Sequence, residues 1–183
     1  MPKYALLGLL LATGAALAHA QEPPQVVLRG SVTTGSGEHP AWFTLICTQG
    51  SGAALSLQLM LGADTTPGFP FDAYEGPHAP ASTLPSAQLQ IGEQHFAPTQ
   101  VAGWYSGDKE GAFVFGIATV TRKHSITTDV ATALGKSGVT LRWVQLSNDL
   151  QTPPLVAVFT PDAQQTQALR RIAGPCLPAH RHD

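Results

Sequence analysis

Two cysteines separated by most of the chain restrict this sequence more than any other feature. Cys47 ends a β-branched and aromatic run, Trp42-Phe43-Thr44-Leu45-Ile46-Cys47, and Cys176 lies close to the C-terminus. Exactly two cysteines in an exported chain are expected to pair. A loop of this size is worth roughly 4 to 5 kcal/mol on the chain-entropy account, with measured values often lower. Total stabilities are about 5–15 kcal/mol, so such a bridge decides whether the fold persists. The alternative is a pair of free thiols.

Export itself is read from the first twenty residues. Lys3 gives a positive start, Tyr4 to Leu17 is apolar, and Ala18-His19-Ala20 has the small-residue form of a cleavage site. That is the pattern of a secretory signal peptide cut before Gln21. The apolar run is shorter than the roughly 20 residues that span a bilayer. The expected location is therefore periplasmic or secreted. Loss of Lys3 takes the net charge from −2 to −3, with basic residues scattered. Nucleic acid and anionic membrane are poor partners for such a surface.

The remaining 163 residues, Gln21 to Asp183, suit one domain. Val26 to Val32 reads as a first strand with Gly30 marking a bulge. Thr33 to Pro40 reads as a loop, and Trp42 to Cys47 as a second strand. Gln49 to Gly52 is a hairpin turn into the clearest pattern in the chain, where Leu55, Leu57, Leu59 and Leu61 alternate with Ser56, Gln58 and Met60. A period of two predicts one buried face and antiparallel pairing with the second strand.

Later strands are expected at Ala87–Ile91, Glu93–Phe96, Thr99–Tyr105, Ala112–Thr121, Val139–Ser147 and Leu155–Thr160. One short helix should run from Asp129 to Leu134, capped by Thr127 or Thr128 and stopped by Gly135. A second should begin with Thr160 at N-cap and Pro161 at N1, carry Leu169, Ile172 and Ala173 inward, and end at Gly174. The expected class is mainly β: an antiparallel sandwich or small barrel with one or two short helices, closed by Cys47–Cys176.

Gly62 to Pro85 breaks the strand rhythm with Pro67, Pro70, Pro77, Pro80 and Pro85. A connection this long is uncommon in a compact domain unless it is functional or disordered. Phe69, Phe71 and Tyr74 indicate that it packs. Within it, Phe71, Asp72, Tyr74, Glu75 and His78 are the candidate binding residues, because proline stiffening lowers the ordering cost of a contact. The same carboxylates fit a glycoside hydrolase pair, Asp72 or Glu75 acting as acid and base. The plain alternative is a loop that covers a sheet edge or end.

Other chemistry is thinner. Gly135-Lys136-Ser137 matches the end of a phosphate-binding loop, but the earlier glycine is replaced by Val130. Serine-elbow, zinc-helix and zinc-cysteine motifs do not occur. His39, His78, His95 and His124 are isolated. His180 and His182 in the flexible tail 177–183 raise a third reading, a periplasmic copper or zinc binder. No cofactor is expected.

Leu45-Ile46-Cys47, Trp104-Tyr105-Ser106 with Phe113-Val114-Phe115, the glycine-led strand Gly138 to Trp143, and the closing strand, helix and cysteine from Phe159 to Cys176 are together similar to small exported bacterial proteins. That group includes the VasI-type accessory proteins of type VI secretion. The chain departs from it at Thr160-Pro161 and in the proline-rich loop. The resemblance implies a non-enzymatic envelope role with a protein partner and no catalytic residue.

Overall fold

The computed structural model describes residues 24–76, 78–121 and 123–179. The leader 1–20, Pro77, and His180 and His182 of the tail lie outside them. Nine strands form one sheet: β1 (Gln25–Thr34), β2 (Gly37–Cys47), β3 (Ala54–Gly62), β4 (Ala87–Ile91), β5 (Gln94–His95), β6 (Ala102–Tyr105), β7 (Ala112–Val120), β8 (Leu141–Gln145) and β9 (Leu155–Phe159). Their order is β5-β4-β8-β9-β1-β2-β3-β7-β6, with antiparallel neighbours throughout. Among the described residues two α-helices, α1 (Ile126–Leu134) and α2 (Ala163–Ala173), accompany the sheet in a mainly-β fold.

Alternation builds the core. Register aligns Leu28, Phe43, Leu59 and Phe115 across β1, β2, β3 and β7, and all four are buried. The adjacent row is Val26, Leu45, Leu57 and Ile117. Burying one such large side chain stabilises by about 1.5–3 kcal/mol. Ser56, Gln58 and Met60, on the other face of β3, are only half-buried. Phe43 also meets Phe159 and Trp143, with ring centroids 5.8 and 6.5 Å away.

The expected loop at 33–40 is instead a tight hairpin turning at Gly35-Ser36. Gly37 at φ +124° supplies a conformation closed to most residues. Pro40 is tolerated inside β2 because its nitrogen faces the β3 side, where pairing begins only at Ala41↔Leu61. Gly30 is not a bulge, since pairing is continuous from Gln25↔Ile46 to Thr34↔Gly37. A Cβ there would lie 2.5 Å from the Phe159 ring, so the glycine makes room for it.

Both helix starts differ from expectation. For α1 the cap is Ser125, which forms a reciprocal capping box with Thr128. For α2 it is Asp162: its carboxylate accepts from Gln165 N–H (2.7 Å), and the Gln165 side chain accepts from Asp162 N–H (3.0 Å). Aspartate followed three residues later by glutamine outcompetes Thr160-Pro161 because it satisfies two orphan donors together. The Gly135-Lys136-Ser137 segment is clamped by Arg170, which donates to Gly135 O and to Ser137 Oγ (3.2 Å).

Cys47 and Cys176 form the disulfide, Cα atoms 5.9 Å apart and 129 residues apart in sequence. It fastens the end of α2, through a short 3-10 turn at Gly174–Cys176, to the end of β2. The segment leading from β5 to β6 is bonded to β4 before it becomes β6. Ala87 of β4 and Thr99 exchange two backbone hydrogen bonds (3.0 and 2.9 Å), and β6 then pairs with β7.

Candidate functional site

The proline-rich connection is ordered by a short 3-10 helix at Phe71–Tyr74 and another at Pro80–Thr83. A 3-10 turn has three residues, so positions i and i+3 share one side. That single rule divides the candidate residues. Phe71 and Tyr74 fall on one side and are buried, whereas Asp72 and Glu75 fall on the other and are exposed. The expectation that Phe71 and Tyr74 offer a contact surface is therefore corrected. Their rings belong to the core because the apolar face of the sheet needs a cover at this end.

The packing is dense in aromatics. Phe71 lies 4.9 Å from Phe113, Tyr74 5.3 Å from Phe115, and Phe69 6.0 Å from Phe115, measured between ring centroids. Tyr74 also carries a hydroxyl to the bottom of this cluster, where it donates to Leu146 O at 2.5 Å. Beside it Trp143 Nε1 donates to Gln145 Oε1 (3.3 Å), and Gln145 Nε2 donates to Ser86 Oγ (2.9 Å). Tyr74, Ser86, Trp143 and Gln145 are all buried. Burial pushes the Tyr74 phenol above its ordinary value, partly offset by hydrogen bonds from this network.

From Tyr74 the chain returns to the sheet. Glu75 bridges Gly103 of β6 in parallel fashion, with Gly76 N–H donating to Gly103 O at 2.9 Å. Gly103 must be small: a Cβ would sit 2.6 Å from the Phe113 ring and 2.9 Å from Tyr74 Cβ. The loop thus covers part of the β6 edge.

Two residues along, Tyr105 leaves that edge with 43 % of its surface exposed. Its ring packs edge-on against Phe113, and its hydroxyl donates to Asp72 Oδ1 at 2.8 Å. The Asp72 hydrogen bond raises the Tyr105 phenol above its ordinary value, with burial and the charges of Asp72 and Glu75 adding in the same direction. Both carboxylates therefore act on one exposed hydroxyl.

His78 is exposed beyond them, and among the described residues no hydrogen bond or ion pair joins it to the cluster. Tyr105 was not singled out from sequence as a site residue. The Trp104-Tyr105 pair marks a strand but says nothing of which loop it meets. Among the described residues, no three His, Cys, Asp or Glu side chains are grouped to hold a metal ion. No helix among them is long and apolar enough to cross a membrane.

The arrangement offers chemistry of a definite kind. Asp72 keeps one carboxylate oxygen outside its bond to Tyr105, and Glu75 stands one 3-10 turn away. Exposed carboxylates held in place accept charge-assisted hydrogen bonds from lysine, arginine or backbone donors. No family model, curated protein or solved structure matches the chain, so the reading rests on this geometry alone.

Proposed function

We propose that this is an exported cell-envelope protein that binds another protein and has no catalytic activity of its own. The contact surface is the acidic edge of Asp72 and Glu75 beside Tyr105. The observation that carries the reading is the Tyr105–Asp72 hydrogen bond, which joins a core-anchored loop to a sheet edge. A carboxylate held in the manner of Asp72 loses little entropy when a partner docks. A donor-rich, basic surface complements both carboxylates.

An inhibitor or immunity-type protein, or a secretion-system accessory of the VasI type, is the form this takes. The location is periplasm or medium, after cleavage of the leader. The scaffold is a sheet rolled toward a small barrel, a reading supported by the Ala87–Thr99 pair of hydrogen bonds between β4 and the segment that becomes β6.

Affinity capture from periplasm or medium with wild type and with an Asp72→Asn/Glu75→Gln variant tests this. One protein should be retained by the wild type, released by salt, and lost by the variant at unchanged melting temperature. Equal retention by both removes the acidic edge from the function. Cleavage of peptidoglycan or simple glycans by the wild type, lost in the same variant, would replace binding with hydrolysis.

A further inference from the structure

Strand β7 is longer than the strand on its outer side. β3 pairs with it from Ala54↔Val120 to Gly62↔Ala112, but β6 covers only Ala102↔Gly116 to Tyr105↔Phe113. Hydrogen bonds alternate sides along an antiparallel strand. Thr121 N–H donates to Ala53 O on the β3 side (3.3 Å), and Ser106 N–H donates to Ala112 O on the β6 side (2.9 Å). Even-numbered residues of β7 therefore face β6. Past Gly116 these are Ala118 and Val120, whose N–H and C=O groups point where β6 has not yet begun. Among the described residues neither has a hydrogen-bond partner on that side.

The open edge is recessed at Ala118 and runs out to the surface at Val120, which is 62 % exposed. Gly116 to Thr119 form one wall of a groove of about 440 Å³, with Thr99, Gln100 and Val101 opposite, where the chain swings away from β7 before becoming β6. Trp104 and Ile126 also line it. The Trp104 indole lies against Gly116, where a Cβ would come within 2.7 Å of the ring, and remains 38 % exposed. The described lining carries no Asp, Glu, Lys, Arg or His. An unpaired strand edge is a template for another strand, and a neutral groove has nothing with which to repay the desolvation of a charge.

We propose that this groove accepts an extended, uncharged segment of a partner polypeptide as an added strand, in line with β6, hydrogen-bonded to Ala118 inside the groove and to Val120 just beyond it. The site is separate from the acidic edge at Tyr105. A neutral saccharide stacked on Trp104 is the competing occupant. The open backbone groups favour the peptide, because only a strand meets donor and acceptor at alternate residues.

The test is amide hydrogen exchange of the disulfide-bonded protein with three probes. These are an acetylated, amidated heptapeptide alternating threonine and valine, the same peptide N-methylated at alternate amides, and maltohexaose. The first should slow exchange at Ala118 and Val120 by at least about tenfold, and the other two should not. Ala118→Pro removes the donor on the open side while keeping the β3 ladder, and should weaken peptide binding about tenfold. Should that variant fail to fold, Val120→Pro at the strand end makes the same test. The proposal is overturned if the peptide gives no protection at about 1 mM, or if the methylated peptide protects equally. Protection by maltohexaose alone overturns it in favour of a saccharide groove.

Discussion

The C-terminal helix and the proline-rich loop both have to be held against the same sheet, and they are held by different chemistry. Helix α2 is fastened to β2 by the Cys47–Cys176 bond. Segment 62–85 is fastened to the residue after β8 and to β6 by hydrogen bonds: Tyr74 to Leu146 O, and Gly76 to Gly103 O. A covalent tie acts largely through the unfolded chain, by closing a long loop. A buried polar tie acts through the native state, where a lost partner leaves a desolvated group unsatisfied. The first tolerates imprecise packing around it. The second demands that Tyr74, Gln145, Ser86 and Gly103 all be the right residue at once.

The largest predicted effect breaks the covalent side. Replacing both cysteines by alanine should cost about 2–5 kcal/mol in urea unfolding, with little change in spectra of the folded state. On the other side, Gly103→Ala forces a methyl into the Phe113 ring and Tyr74 and should cost about 1–3 kcal/mol. A loss near zero would mean that the loop does not press on β6. Tyr74→Phe keeps the ring and removes the hydroxyl, and should cost about 1–2 kcal/mol by the same measurement.

That tyrosine also makes the loop side sensitive to alkali. Its folded-state pKa is raised, so its contribution is intact below the unfolded value of about 10 and falls as pH rises beyond it. Wild type should lose stability above about pH 10 more steeply than Tyr74→Phe. Tyr105→Phe should change the alkaline loss in the same direction but by less, because its phenol, raised chiefly by Asp72, is exposed and screened by solvent. The smallest effect sharpens the covalent side: Asp162→Ala removes the cap of α2 and should cost about 1 kcal/mol. It should cost less once the disulfide is absent if α2 is then partly detached.

The two sides also differ in how far they can be read from sequence. Cysteine pairing was legible because two cysteines leave one pairing. Alternate leucines from Leu55 to Leu61 likewise made β3 legible, since only one face of a strand can be buried. The polar tie was hidden. Gln145 and Ser86 are ordinary surface residue types, and only the β4–β8 register brings them together. Of the candidate residues, Phe71 and Tyr74 pack into the core, which leaves Asp72, Glu75 and His78 as those open to a partner. The three-residue period of a 3-10 turn separates the buried pair from Asp72 and Glu75, and that period is too short to leave a pattern. Tyr105 was missed because its contact to Asp72 spans 33 residues. The cap at Asp162 was misplaced by two positions because Thr160-Pro161 is also an acceptable helix start.

Amide hydrogen exchange over residues 69–76, compared before and after reduction of the disulfide, tests most directly whether the loop is locked by its own bonds. Slow exchange is expected at Ala73 and Gly76 in both states, while α2 loosens on reduction. Exchange at those amides as fast as in the exposed 49–52 turn, or protection that vanishes with the disulfide, would contradict such a lock.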